Sequence, residues 1–232
     1  MFTAILLVEM TGRFPREKSI MEARPSRSIV PLPVSQIGQA SDLIARAFFD
    51  DPIDVYMEPD EQVRARMGRR HLEAFVRYCH LAGEVWTTEG SIEGIAGWLR
   101  PRSGEVSPKL EVQAGMDAIP SLIGTEQWER IAAIVDCLET LHEQDIQMPH
   151  WYLMLLGTEP NVQCRGIGSQ LLQPVLTRAD AEGIPCYAQT SNLRNVPFYS
   201  KHGFELLVEV DEPESGVRIW TMLREPRGGK TS

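Results

Sequence analysis

The sequence predicts a mixed α/β domain, and three observations carry that prediction. Segments with helical apolar spacing alternate with short β-branched or apolar runs along most of the chain. One run, "HWYLMLLGT" (150–158), is nearly all apolar without strict alternation, as a strand covered on both faces reads. It is followed by a glycine turn, "QCRGIGSQ" (163–170), and then by helix formers.

Taken in order, residues 1–27 show no period and contain Pro15 and Pro25, so they are expected to form a poorly ordered extension. A single domain is expected over 28–226. "SIVPLPV" suits an edge strand, with Ser35 placed to cap a helix. In that helix Ile37, Ala40, Leu43, Ile44, Ala47 and Phe48 share a face, and Pro52 ends it. A second helix is expected from about 60 to 81, and "EVWTTEGSIEGIAGWL" reads as a hairpin about Glu89-Gly90-Ser91. A linker leads to a helical insertion at about 105–145, broken near Gly124. After the apolar strand and the turn come a helix from about 168 to 182, a strand at "PCYAQT", and a short helix at "NVPFYSKHG". A hairpin of "FELLVEV" and "VRIWTML" closes the chain.

Composition narrows the function. The net charge of −9 disfavours a nucleic-acid partner, which needs a basic face, and suits a cationic ligand. Four scattered cysteines, without C-x-x-C or Cys/His spacing, imply reduced thiols, a cytoplasmic location and no metal. The apolar run at Phe2–Val8 fails as a signal peptide, and no stretch reaches the roughly 20 residues of a membrane span. Met21 is a second possible start. The Asp50, Asp51 and Asp54 cluster reads first as a solvated helix-end loop and second as a group that attracts a cation, and "RARMGRRH" reads as a solvated face.

The glycine turn offers backbone N–H groups from Arg165 to Ser169 at a helix start, with a guanidinium beside them. That is a phosphate seat, because the first amides of a helix are unpaired and carry partial positive charge. It lacks the lysine of a P-loop, and Leu171 stands where a dinucleotide fingerprint needs glycine or alanine. Gln163, Gly166 and Gly168 instead form Q-x-x-G-x-G. Further on, Asn195, Phe198, Tyr199, Gly203 and Phe204 form N-x-x-F-Y-x-x-x-G-F. In this order the two segments resemble the GNAT superfamily of N-acetyltransferases. "PFY", "RIWTM" and Pro174 look most like the puromycin N-acetyltransferase type.

The resemblance implies an α/β GNAT fold: a mixed central sheet, splayed in the middle, with helices on both faces. It implies acetyl-CoA as co-substrate and a small-molecule amine as acceptor, with the protein a monomer or homodimer. Acetylation of a protein N-terminus or lysine, and a non-catalytic acyl-CoA sensor, are the alternatives. The CoA pyrophosphate would lie on Gln163, Cys164, Arg165, Gly166, Ile167, Gly168 and Ser169. The pantetheine arm would pair with Leu155, Leu156 and Gly157 and meet Asn195. Tyr199 is placed as the acid for the leaving thiolate. For the base the candidates are His150, with His142 near it, and at lower odds Glu89 and Glu93; an amine arriving neutral needs none.

Overall fold

The computed structural model describes residues 6–7, 27–101 and 108–228, the first pair by backbone alone. A mixed sheet runs β2-β3-β4-β5-β6-β8-β7. Its strands are β2 (Ile29–Pro31), β3 (Gly83–Thr88), β4 (Gly94–Leu99), β5 (Trp151–Thr158), β6 (Cys186–Thr190), β7 (Glu205–Asp211) and β8 (Arg218–Arg224). Only β5 and β6 in this series are parallel. All eight residues of β5 are buried, as its unbroken apolar run requires of a central strand.

Helices cover both faces. On one face lie α1 (Ile37–Ala47) and α4 (Arg70–Ala82); on the other lies α8 (Ile167–Glu182). Three glycines record the close approach. A Cβ on Gly157 would meet Ile44, Ala47 and Phe48 of the α1 region, one on Gly97 would meet Cys79 of α4, and one on Gly94 would meet Leu171 of α8. The apolar face read for the first helix is the one that packs there.

Several local expectations are corrected. Pro52 does not end the first helix but opens α2 (Pro52–Met57) at a position where its missing N–H costs nothing. The helix expected over 60–81 divides into α3 (Glu61–Met67) and α4, because Gly68 turns into the left-handed region at φ 54°. Ser35 lies in a 3-10 turn and makes no capping bond. The insertion forms α5 (Pro108–Ala114), α6 (Ile119–Ile123) and α7 (Thr125–Asp145), with the break at Gly124. The last helix, α9 (Asn195–Lys201), is the short one expected.

The sheet opens in its middle. β5 pairs with β6 only from Trp151 to Leu153. Beyond that point Leu155 and Leu156 pair in parallel with β1 (Leu6–Leu7). Among the described residues no helix is long and apolar enough to cross a membrane.

Candidate active site

The end of β5, the glycine turn and α9 enclose a cavity of about 490 Å³. The sequence-predicted residues Leu156, Gly157, Gln163–Ser169, Asn195 and Tyr199 all line it. Gly166 is the residue before α8 and sits at φ 82°, which explains glycine there; a Cβ would meet nothing within 4 Å, so the need is conformational. At Gly168 a Cβ would make an ordinary van der Waals contact, 3.4 Å from the Phe198 ring of α9. Cys164 is the only non-glycine among the described residues at positive φ (59°). That conformation suits glycine better, so the turn holds strain at this residue.

The amides of Ile167, Gly168 and Ser169 open α8, whose preceding residue supplies no side-chain cap. They therefore face the cavity mouth as donors. Arg165, Arg194 and Lys201 add positive charge to the same lining. The Ser169 hydroxyl is 2.9 Å from His202 Nε2, which ties the start of α8 to the end of α9. Burial, then the nearby Lys201, Arg227 and Arg224, lowers the His202 pKa. Sequence reading missed Arg194, Lys201 and His202; their signal was basic residues bracketing N-x-x-F-Y.

Tyr199 is 1% exposed and forms the inner wall between Phe198 and Phe204, with ring centroids 5.3 and 5.6 Å away. Burial raises its phenol well above the ordinary range, which keeps the proton on the oxygen. Asn195 is buried, and its Nδ2 donates to Thr190 Oγ1 at 2.9 Å, fixing α9 to the end of β6.

His150 is not brought to this site. It precedes β5 at the end away from the turn, five residues before Leu155 and so roughly 17 Å from it at strand spacing. There its Nε2 lies 2.7 Å from His142 Nε2, and its Nδ1 lies 2.8 Å from Met148 O. His142 also stacks on Tyr187 at 4.8 Å. The pair is structural. Burial, with His150 adding to it, lowers His142 to about 3, below the ordinary 6.5. The unfolded chain therefore takes up a proton at a pH where the folded chain does not. The contribution to stability is full above about 6.5 and is lost as pH falls toward 3. His142→Phe is expected to flatten the fall of unfolding free energy between pH 6 and 5 by up to about 1.4 kcal/mol per pH unit, measured by denaturant unfolding. An unchanged slope would remove His142 as its source.

The other two base candidates are not among the residues that line the cavity. Glu89 is exposed in the β3–β4 turn, and Glu93 is ion-paired with Arg27.

Two further readings change. Asp51 and Asp54 are buried, and only Asp50 is exposed. Asp51 caps α2 through Ile53 N and accepts from Ser191 Oγ at 2.9 Å, joining α2 to the end of β6. Arg64, within the supposed solvated face, is buried, donates to Phe49 O and Glu58 O, and stacks over the Phe49 ring at 4.5 Å.

With this geometry in place, the comparisons can be read. Residues 92–204, which span β4 to α9, match the acetyltransferase (GNAT) family model. This part of the chain is similar to the GNAT acetyltransferases. The protein is thus an acyltransferase. Over 198 residues, 81% of this chain, it is 26% identical to an uncharacterised N-acetyltransferase of Schizosaccharomyces pombe, 79% of which is covered. In fold it is similar to a histone acetyltransferase HPA2 and related acetyltransferase from Corynebacterium glutamicum. That TM-score is 0.58 at 19% identity, covering 89% of this chain and 100% of the other. It is also similar to the polyamine N-acetyltransferase of Drosophila melanogaster, with a TM-score of 0.54 at 13% identity, covering 86% and 100%. These two likenesses show the GNAT fold. No group of three metal-ligating side chains occurs among the described residues.

Proposed function

We propose that the protein transfers the acetyl group of acetyl-CoA to a primary amine of a small molecule in the cytoplasm. The observation that carries this reading is one cavity lined both by the start of α8, with its unpaired amides, and by the buried Tyr199. Support for a small amine acceptor comes from the polyamine and arylalkylamine N-acetyltransferases among the structures of similar fold. The "PFY" and "RIWTM" segments favour the puromycin N-acetyltransferase type.

In this reading the amides of Ile167, Gly168 and Ser169, with Arg165, hold the pyrophosphate. Lys201 and Arg194 hold further negative charge. The backbone of Leu155–Gly157 pairs with the pantetheine arm, and one of its N–H groups faces the developing oxyanion. The amine nitrogen bonds to the thioester carbon, the C–S bond breaks, Tyr199 passes its proton to the departing sulfur, and the proton shed by the nitrogen returns through water to the phenolate. An amine that arrives neutral needs no dedicated base, consistent with the placing of His150.

The pantetheine position coincides with β1, since Leu6–Leu7 already pairs with Leu155–Leu156. A chain beginning at Met21 lacks that competitor. It is expected to bind acetyl-CoA about fivefold more tightly, the worth of roughly one backbone hydrogen bond at about 1 kcal/mol. Titration calorimetry on both chains checks this; equal affinity would show that β1 does not compete.

The reading is tested by mixing the protein with acetyl-CoA and aminonucleosides, polyamines or N-terminal peptides, and following free thiol. Thiol release with a small amine above the hydrolysis blank supports it. Release with peptides alone moves the acceptor to proteins. Acetyl-CoA binding without release from any amine leaves a sensor.

A further inference from the structure

A second cavity of about 490 Å³ is walled by α1, α2, α3 and the start of α4. It is separate from the acetyl-transfer groove. Its residues from α1 and the turn after it, Asp42, Ala45, Arg46 and Phe49, lie on the side away from Ile44, Ala47 and Phe48, which pack over Gly157. Two of its wall residues are polar, almost fully buried and unpartnered. Asp54 is 5% exposed and its Oδ2 has no hydrogen-bond partner among the described residues; His71 is 5% exposed and neither ring nitrogen has one. Leaving such groups unpaired is destabilising, so the arrangement calls for a partner.

The neighbouring cations do not supply it. Arg64 donates to Phe49 O and Glu58 O, Arg46 is paired with Glu159 at 2.8 Å, and Arg69 with Asp42 at 2.8 Å. A donor that enters from outside can supply it. Nε2 of His71 and Oδ1 of Asp54 are 4.0 Å apart. One nitrogen at about 2.8 Å from each spans that gap at an angle near 90°, within hydrogen-bonding range for an ammonium. Burial lowers the His71 pKa to about 4, so near neutrality the ring is uncharged and has a nitrogen that accepts. Phe49, Met57, Met67 and Leu72 line the remaining wall and suit a hydrocarbon chain or ring.

We propose that this cavity binds a small organic ammonium ion, its –NH3+ bridging Asp54 and His71 and its apolar part lying on Phe49, Met57 and Met67. The ammonium has two possible sources. One is the distal charge of a diamine acceptor that passes Asp51, one helical turn from Asp54, toward the end of β6. The other is a separate amine. The site itself does not depend on the acetyl-transfer reading; only the first source does.

The test is calorimetric titration of the full chain with butylamine and phenethylamine, and with 1-butanol and 2-phenylethanol as uncharged counterparts. The expected result is binding of at least one amine, at least tenfold weaker for its alcohol and at least tenfold weaker in Asp54→Asn. Ala45→Trp, at a half-buried wall position, should block the cavity without touching the carboxylate. It covers the case in which Asp54→Asn fails to fold. No binding of either amine, equal binding of amine and alcohol, or binding unchanged in the variants would overturn the proposal and leave a cavity that holds water. Turnover with acetyl-CoA is measured separately on the same variants. A diamine KM raised by Asp54→Asn with a monoamine KM unchanged identifies the acceptor's own charge; both KM values unchanged, with amine binding lost, identifies a separate amine. Amine binding that depends on Asp54 without any turnover would sink the acetyltransferase reading alone.

Discussion

Tyr199→Phe is expected to lower turnover at least roughly tenfold while acetyl-CoA affinity stays nearly intact. The substitution removes one oxygen from a wall that is otherwise ring packing against Phe198 and Phe204, so the cavity keeps its shape. What is lost is a proton held on the phenol by burial, which in the proposed reaction goes to the leaving thiolate. Because burial raises this pKa, Tyr199 stays protonated through the usual assay range and should add no basic limb to the pH–rate profile. Steady-state kinetics beside a binding isotherm separates the two effects. Equal turnover in wild type and variant would remove Tyr199 from the chemistry and leave the fold untouched. Loss of affinity in step with turnover would make it a packing residue.

Gly166→Asp should weaken acetyl-CoA binding about 100-fold, or about 2.7 kcal/mol, and Gly166→Asn far less. Both side chains tolerate the left-handed conformation that φ 82° demands better than other residues do, and nothing lies within 4 Å of the position a Cβ would take. The fold should therefore accept either. They differ in one charge, placed beside amides that seat an anion. Two like charges about 4 Å apart near a protein surface repel by several kcal/mol before screening. Binding measured at low and at high salt distinguishes the causes, because a charge effect shrinks with ionic strength and a backbone effect does not. Equal losses in the two variants would mean that the turn binds through its shape alone.

Both predictions rest on segments that could be read directly from the chain. The glycine turn and N-x-x-F-Y lie within about 40 residues of each other, and each acts through its own backbone or a neighbour one turn away. Local rules govern them: a glycine at a helix start, a strand apolar on both faces, a tyrosine one turn after an asparagine. The strand order of the second half follows the same logic, as does the hairpin about Gly90. The resemblance then supplied roles that spacing alone does not give.

Other features depend on residues far apart in sequence. "DDPID" reads as a solvated loop until Ser191, 140 residues away, is seen to donate to Asp51. Arg64 and His71 sit in a stretch whose composition is that of a surface, and burial comes only when α3 and α4 fold against α1. His150 was a reasonable base by residue type, but the direction of β5 sends it to the opposite end of the sheet. The sequence by itself determined most of the helices and strands and the glycine turn before α8, because short-range backbone geometry and apolar period fix those. Only the tertiary structure decided which charges lose their water, and so which of them need a partner. Desolvation is set by what packs above a residue, and no local pattern records that.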